Sequence, residues 1–460
     1  MNIQSLTIYS ENYTPKHPKE YYELYKPDAP RMGMGMGSGR NIGELTELNS
    51  EEMELEISNI LGQSDISAHR GLFMQIPFCK SRCSYCPFFR YSTEEDVSRF
   101  TDSTIALLQR LGETEYVLSQ PFEIFYFGGG TPASIGYKNL ERIFSALRKY
   151  FQRTNGYEFT VENRITDLNS DLLELYDLYG VNRISMGVQT FDTDMRRKLG
   201  RYADRNQIID TIQRVKDIGF RTSVDLMYSI PGQTVEDFVE QVRMACELKV
   251  DNMSQYRMKL PPFVPLREKI DSGDSPPQPV RSEWTDMQLA GWDEAEKHGY
   301  QRWNTKNFGR TEDENCHYSF GRYYPTALLP VGSGAGGHIG LMSFSSEHDL
   351  DTYCQRIEDD LMPYPNSRIS NMDSLYLSTF RRLLEQKGVN LLELGKRFKV
   401  DSWGIHHKEL RNLEEKGLIN IDGDIVSLTK LGVVWWPEIS YDLSIEPGTV
   451  KISYKELPMI

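Results

Sequence analysis

Leu72-Phe-Met-Gln-Ile-Pro-Phe-Cys79-Lys-Ser-Arg-Cys83-Ser-Tyr-Cys86-Pro-Phe-Phe89 sets three cysteines at a C-x3-C-x2-C spacing directly after an apolar, strand-like run. A zinc site normally takes four protein ligands, or three plus water with histidine usually among them. Three thiolates on one short loop suit three irons of a four-iron cluster, with the fourth iron left open to a substrate or cofactor. The remaining cysteines, Cys246, Cys316 and Cys354, are scattered along the chain, so a reducing compartment and no disulfides are expected.

Outward from this loop a unit recurs between Gly71 and about Leu260: an apolar, β-branched or aromatic run, a turn, then a helical stretch. The strands predicted are Leu72 to Ile76, Phe122 to Phe127, Tyr157 to Val161, Asn182 to Val188, Arg221 to Met227 and Asn252 to Met258. Helices are expected between them, as over Thr93 to Leu118, Tyr137 to Phe151, Ser170 to Tyr179, Arg205 to Ile218 and Thr234 to Leu248. Alternation of this kind predicts an α/β fold with parallel strands and helical crossovers, and six strands suit a partial (β/α)6 barrel better than a closed ring of eight. Reactive groups then belong at the C-terminal ends of the strands. Polar residues stand there in five of the six cases: Gly128 to Pro132, Glu162, Gln189, Asp225, and Tyr256 to Lys259.

The 460 residues, 39% of them hydrophobic, support two or three domains: an N-terminal extension over 1–70, the barrel and its extension over 71–345, and a helical, winged-helix-like domain over 346–460. In the first, the repeat Met32-Gly-Met-Gly-Met-Gly-Ser-Gly39 is most simply a flexible loop, and alternatively a segment that closes over a flat apolar ligand. In the last, three helical stretches precede a hairpin around Asp422-Gly423. That wing lacks a basic face, which favours a structural or lid role over DNA binding. With 52 basic against 66 acidic residues the formal charge is −14, so neither nucleic acid nor a membrane surface is an expected partner. No apolar run reaches the roughly 18 residues of a membrane span, and Met1 to Thr7 lacks the features of a signal peptide, so a cytoplasmic location is expected.

Four ordered motifs carry a resemblance: the cysteine loop, Phe127-Gly-Gly-Gly-Thr-Pro132, Arg183-Ile-Ser-Met-Gly-Val-Gln189, and Val224-Asp-Leu-Met-Tyr-Ser-Ile-Pro-Gly-Gln233. Together they resemble the radical S-adenosylmethionine (SAM) enzymes, in particular the branch of the oxygen-independent coproporphyrinogen oxidases. Within that branch, Ile76-Pro-Phe-Cys79 and Cys83-Ser-Tyr-Cys-Pro-Phe-Phe89 look most like the anaerobic heme-degrading methyltransferases, the anaerobilin synthases. The resemblance runs from Gly71 to Thr429.

It implies a [4Fe-4S] cluster on Cys79, Cys83 and Cys86, with SAM on the open iron. Gly129, Gly130 and Thr131 would meet the SAM amino group, and Glu162, Gln189, Arg201 and Asp225 would hold its carboxylate, ribose and amine. Arg201 taken alone reads as a surface arginine; its offset of twelve residues from Gln189 matches the family. Phe73 and Gln75 depart from the oxidases, which carry tyrosine and histidine there.

The implied activity is anaerobic C-methylation of heme using two SAM molecules, with ring opening to a linear tetrapyrrole, iron release, and an electron donor such as flavodoxin or another reductase. The alternatives are coproporphyrinogen decarboxylation, methylation or cyclopropanation of another sp2 carbon, and a heme-binding chaperone with a vestigial cluster site. For the substrate, Tyr256, Arg257 and Lys259 stand where propionates would be met, and Cys316 or His317 would donate hydrogen or touch iron. For His317 the plainer reading is a local hydrogen bond. Tyr85, Phe88 and Phe89 would stack on a flat ligand, or simply insulate the cluster.

Overall fold

The computed structural model describes residues 48–64, 69–88, 91–321 and 326–457. Most of the N-terminal extension, including the Met/Gly repeat, and Phe89 lie outside the described residues. Helix α1 (Ser50–Leu61) of that extension opens on a capping box between Asn49 and Glu52 and buries Met53, Ile57 and Leu61, spaced to share one helical face.

The predicted alternation appears as six strands: β1 (His69–Ile76), β2 (Phe122–Gly129), β3 (Arg153–Asn163), β4 (Arg183–Gln189), β5 (Arg221–Tyr228) and β6 (Asn252–Arg257). Each pairs in parallel with the next, in sequence order. Parallel neighbours need long crossovers. These are helices α2 (Val97–Gly112), α3 (Tyr137–Tyr150), α4 (Ser170–Leu178), α5 (Arg205–Ile218) and α6 (Val235–Glu247). The run expected as one helix from Thr93 to Leu118 ends its long part at Gly112, and a five-residue helix, Glu115–Ser119, follows after a fresh cap at Thr114. Aromatic side chains fasten α3 to the sheet: Phe144 lies 5.3 Å from Phe127 and 5.4 Å from Phe159, centroid to centroid. All three are fully buried, a removal from water that stabilises by about 1.5–3 kcal/mol for each ring.

The sequence pattern loosens after Pro261, yet the sheet continues. Helix α7 (Arg281–Lys297) leads to β7 (Gln301–Arg302) and β8 (Asn307–Gly309), and β8 pairs antiparallel with β6. On the other edge β9 (Thr326–Val331) lies parallel to β1, followed by antiparallel β10 (Gly336–Ile339), β11 (Met342–Ser345) and β12 (Arg368–Ile369). The result is one open twelve-stranded sheet ordered β12-β11-β10-β9-β1-β2-β3-β4-β5-β6-β8-β7. Parity is shared by Phe73 and Gln75, Tyr126, Glu158 and Glu162, Arg183, and Asp225 and Tyr256, so these side chains line one face, while the register of β4 against β5 shifts between Met186 and Gln189.

After helix α8 (Leu350–Glu358), the C-terminal part contains α9 (Met372–Glu385), α10 (Leu391–Phe398) and α11 (Ser402–Glu415), a three-stranded wing of β13 (Val389–Asn390), β14 (Ile419–Asp422) and β15 (Ile425–Leu428), and two short helices, Lys430–Val434 and Trp436–Asp442. It docks on α7: Arg281 donates to Glu438 at 2.8 Å while its guanidinium covers Trp435 at 4.0 Å, and Lys430 reaches Asp293 and Glu296, each at 2.7 Å. Among the described residues no helix is long and apolar enough to cross a membrane. All six cysteines are free thiols.

Candidate active site

Cys79 ends a two-residue strand, Phe78–Cys79, that pairs with Tyr91–Ser92. The glycine turn after β2 is bolted onto it: Gly130 N–H donates to the Ile76 carbonyl and Thr131 N–H to the Phe78 carbonyl, both at 2.8 Å. The Ser134 hydroxyl adds a bond to Phe78 at 2.9 Å. A Cβ on Gly130 would lie 2.3 Å from the Phe78 oxygen, so only glycine permits this approach. The consequence for the site is that the Thr131 hydroxyl stands 3.6 Å from the Cys79 sulfur.

The rest of the cysteine loop is held from three directions. Ser84 N–H donates to Leu199 O at 3.1 Å, the Ser84 hydroxyl to Lys198 O at 3.0 Å, and Leu266 N–H to Ser84 O at 2.8 Å. Arg164, just past β3, donates to the Ser81 hydroxyl at 2.7 Å and places Nη2 3.5 Å from the Cys83 sulfur. Arg201 donates from Nε to the Tyr85 hydroxyl at 3.1 Å and from Nη1 to Gly187 O at 2.7 Å. Burial opposes the Arg201 charge, but Tyr85 and the thiols of Cys83 and Cys86 outweigh it and hold its pKa above the ordinary range. Burial likewise pushes the Tyr85 hydroxyl up to about 12 and raises the Cys79 thiol, the latter against the pull of Thr131 and Arg164.

Further along the same face, Glu162 accepts from the Tyr126 hydroxyl and, at 3.3 Å, from Gly129 N–H. Asp225, expected at the strand's last turn, stands midway along β5 opposite Ser254. Burial and the neighbouring Glu162 push its carboxyl up to about 7, while Ser254, Arg201 and Lys306 favour its charged form. Gln189 closes β4 with φ of 67°, a left-handed backbone that costs a non-glycine residue energy and here marks the rim. Gly187 makes room beside it: a Cβ there would meet Gln189 Nε2 at 3.0 Å and Arg201 Nη1 at 3.2 Å.

Cys79, Thr131, Gly129, Gly130, Glu162, Gln189, Arg201 and Asp225 are therefore linked through the cysteine loop and the rim of β2 to β5. The substrate candidates are placed differently. Tyr85 is buried beneath Arg201, whereas Phe88 is 66% exposed. Tyr256 lies 5.1 Å from the Lys306 ammonium, and the Arg257 guanidinium covers Trp284 at 4.4 Å. Lys259 lies at the surface; partial desolvation of its ammonium, then the charge of Arg257, lowers its pKa. Cys316 and His317 belong to a buried network around Glu158, four residues before Glu162, or about 13 Å along the strand at the usual rise. The Cys316 thiol donates to Glu158 at 3.4 Å, His317 N–H donates to it at 3.2 Å, and Arg183 pairs with it at 2.9 Å. Tyr318 then stacks on Tyr126 at 3.9 Å and on Phe73 at 5.5 Å.

Sequence reasoning missed Arg164, Tyr126, Tyr318 and the Glu158–Arg183 pair. Arg164 carried a signal, since it stands two residues beyond Glu162 where β3 ends. Tyr318 carried none, because its neighbours Phe73 and Tyr126 are more than 190 residues away in the chain.

Among the described residues no three His, Cys, Asp or Glu side chains converge as they would about one metal ion. A cluster asks for a different arrangement, since each thiolate binds its own iron at a separate corner. Three thiols on one anchored loop, with two guanidinium groups against them, fit that demand. Residues 75–245 match the radical SAM superfamily, and residues 380–435 match the HemN C-terminal domain.

The chain belongs to the radical SAM superfamily. A [4Fe-4S] cluster and SAM are accordingly its cofactors. It is 27% identical over 377 residues to the heme chaperone HemW of Bacillus subtilis (strain 168), covering 80% of this chain and 98% of that protein. It is also 27% identical over 309 residues to the anaerobilin synthase of Escherichia coli O157:H7, covering 67% of this chain and 69% of that protein. Among solved structures, coproporphyrinogen III oxidase (HemN) from Escherichia coli superposes with a TM-score of 0.76 at 22% identity, over 88% of this chain and 96% of that one, which shows a shared fold.

Proposed function

We propose that this radical SAM enzyme is a methyltransferase that acts on heme without oxygen, adding a SAM-derived carbon to the porphyrin and opening the ring to a linear tetrapyrrole with release of iron. The observation that supports it over decarboxylation is Phe73. It stands where the oxidases carry tyrosine and is stacked against Tyr318 at 5.5 Å, so its position offers no hydroxyl to a ligand. Likeness to an anaerobilin synthase over 309 residues supports the same reading.

When bound, the cluster and SAM supply a carbon-centred radical able to take hydrogen from a C–H bond, and a second SAM supplies the carbon to be transferred. The chain's own residues bind and orient. Cys79, Cys83 and Cys86 would hold the irons. Arg201, fixed by Tyr85, would pair with the SAM carboxylate, while Glu162, Gln189 and Asp225 take its amine and ribose hydroxyls and Gly129, Gly130 and Thr131 meet the amino group. Arg257 and Lys259 would hold propionates beside Tyr256. Burial first, then Glu158, pushes the Cys316 thiol up to about 12, so its hydrogen stays on sulfur at pH 7, as a hydrogen-atom donor requires. His317 would serve as a proton source beside it.

A second reading, a heme chaperone, is supported by the match that spans 98% of HemW. Anaerobic incubation of reconstituted protein with reductant, SAM and heme separates the readings. Loss of the heme absorption band supports methyl transfer and ring opening; bound but unaltered heme supports the chaperone. Inert heme together with CO2 released from coproporphyrinogen supports the oxidase.

A further inference from the structure

Glu162 is half-buried where its neighbours Val161 and Asn163 along β3 are fully buried, so its carboxylate opens into the site. Three features fix where that carboxylate lies. The Tyr126 hydroxyl donates to Oε1, and Gly129 N–H donates to Oε2 at 3.3 Å. The third is the missing side chain of Gly128: a Cβ there would lie 2.7 Å from Oε2 and 3.1 Å from Oε1, so the carboxylate fills the space that glycine leaves. Of the two donors, the phenol makes the closer contact.

Tyr126 is itself held. Its ring is buried and stacked on Tyr318, with centroids 3.9 Å apart and planes 20° from parallel, and Tyr318 stacks in turn on Phe73. Phe73, on the neighbouring strand, has no hydroxyl to offer. Tyr318 comes from a segment anchored to the barrel: Arg183 donates to the carbonyls of Glu314 and Asn315, each at 2.9 Å, and Asn252 donates to the Asn315 side chain at 3.0 Å. Burial, then the charge of Glu162, raises the Tyr126 pKa well above the ordinary range, so the phenol keeps its proton for the bond to Glu162.

We propose that Tyr126 is a positioning residue for SAM: it holds the Glu162 carboxylate in the orientation that meets the SAM amine or ribose, and Tyr318 keeps Tyr126 in place. The inference rests on the assignment of Glu162 to the SAM site and is independent of which porphyrin reaction follows. A carboxylate already held pays less ordering entropy when a ligand arrives than one that must first stop rotating. The buried Glu158–Arg183 pair gains a purpose on this reading, because Arg183 anchors the segment that carries Tyr318. No group on Tyr126 or Tyr318 changes covalently; both act through Glu162.

The probe is SAM, bound to the cluster-loaded full-length protein under anaerobic conditions without reductant, so that calorimetry reads affinity and no turnover occurs. Tyr126→Phe keeps the ring and its stack and removes only the hydroxyl. It is expected to weaken SAM binding about tenfold, and Glu162→Ala at least as much, the scale of a bond to a charged group. In the Glu162→Ala background, Tyr126→Phe should cost no further affinity, because a positioning residue acts only through its partner. Tyr318→Leu should weaken SAM binding severalfold. Iron content and urea midpoint of Tyr126→Phe should match wild type. Wild-type SAM affinity in Tyr126→Phe would overturn the proposal, as would losses that multiply in the double variant, which would give Tyr126 a role apart from Glu162. Wild-type affinity in Glu162→Ala would remove Glu162 from the SAM site, and the proposal with it.

Discussion

Nη2 of Arg164 lies 3.5 Å from the sulfur of Cys83, while Nη1 of the same side chain holds the Ser81 hydroxyl at 2.7 Å. One residue beyond the third strand thus ties the middle cysteine to the barrel rim. Partners of this kind around metal ligands change affinity by roughly 10–100-fold when removed. Arg164→Ala should therefore retain iron far less well than wild type when reconstituted protein is challenged with a chelator, and Cys83→Ala should lose its brown colour altogether. Iron retention equal to wild type in Arg164→Ala would show that the arginine does not support the loop.

Tyr85 fixes Arg201 through a bond of 3.1 Å, made to a charged donor in a buried setting. Bonds to charged groups contribute about 1.5–3 kcal/mol, which corresponds to roughly tenfold or more in an equilibrium constant. Tyr85→Phe should weaken SAM binding by about tenfold in calorimetry while leaving the iron content unchanged. Unaltered SAM affinity would remove Arg201 from the SAM site.

At Gly130 a methyl group would collide with the Phe78 carbonyl at 2.3 Å, and the obstacle is backbone, not a side chain that can swing away. Gly130→Ala should lower stability by about 1–3 kcal/mol, the usual cost of overpacking. It should also displace the Thr131 hydroxyl from Cys79. Denaturant unfolding measures the first effect and iron content the second. A variant as stable as wild type with full iron would contradict the packed turn.

The C-terminal domain contains a titratable group unrelated to the reaction. His406 is fully buried between Phe380, 4.2 Å away, and Tyr376, 5.7 Å away, with both ring nitrogens unpartnered among the described residues. Burial, with Arg381 adding repulsion, lowers its pKa to about 4. The unfolded chain then binds the proton more readily than the folded one between about pH 6.5 and 4. Stability is complete above that window and falls as the pH drops through it, by about 1.4 kcal/mol per pH unit. His406→Phe should flatten this part of the acid limb in urea melts at pH 7, 5.5 and 4.5. An unchanged pH slope would show that His406 is not the group responsible.

The sequence was legible where local chemistry repeats. The six strands and their crossovers announce themselves because each buried run is flanked by a capped helix, as at Asp204 with Gln207 and Thr234 with Asp237. The rim residues Glu162 and Gln189 follow from the same logic. Illegible features depend on distant partners. β9 joins β1 in parallel only because Thr326–Val331 returns across more than 250 residues, and nothing local distinguishes it from any short apolar run. The Glu158–Arg183 pair was hidden for a related reason: both residues sit in strands where charge is unusual, and each is tolerable only because the other meets it at 2.9 Å. Asp225 lies midway along β5, because strand length is fixed by pairing with β4 and β6, not by the apolar run alone.

The measurement closest to the central claim is isotope tracing. Reconstituted protein is incubated anaerobically with heme, a reductant and SAM carrying a deuterated methyl group, and the tetrapyrrole is analysed by mass spectrometry. The expected product is a linear, iron-free tetrapyrrole that carries deuterium from the SAM methyl group. Heme recovered intact and unlabelled, from protein whose cluster cleaves SAM, would contradict the proposed methyl transfer.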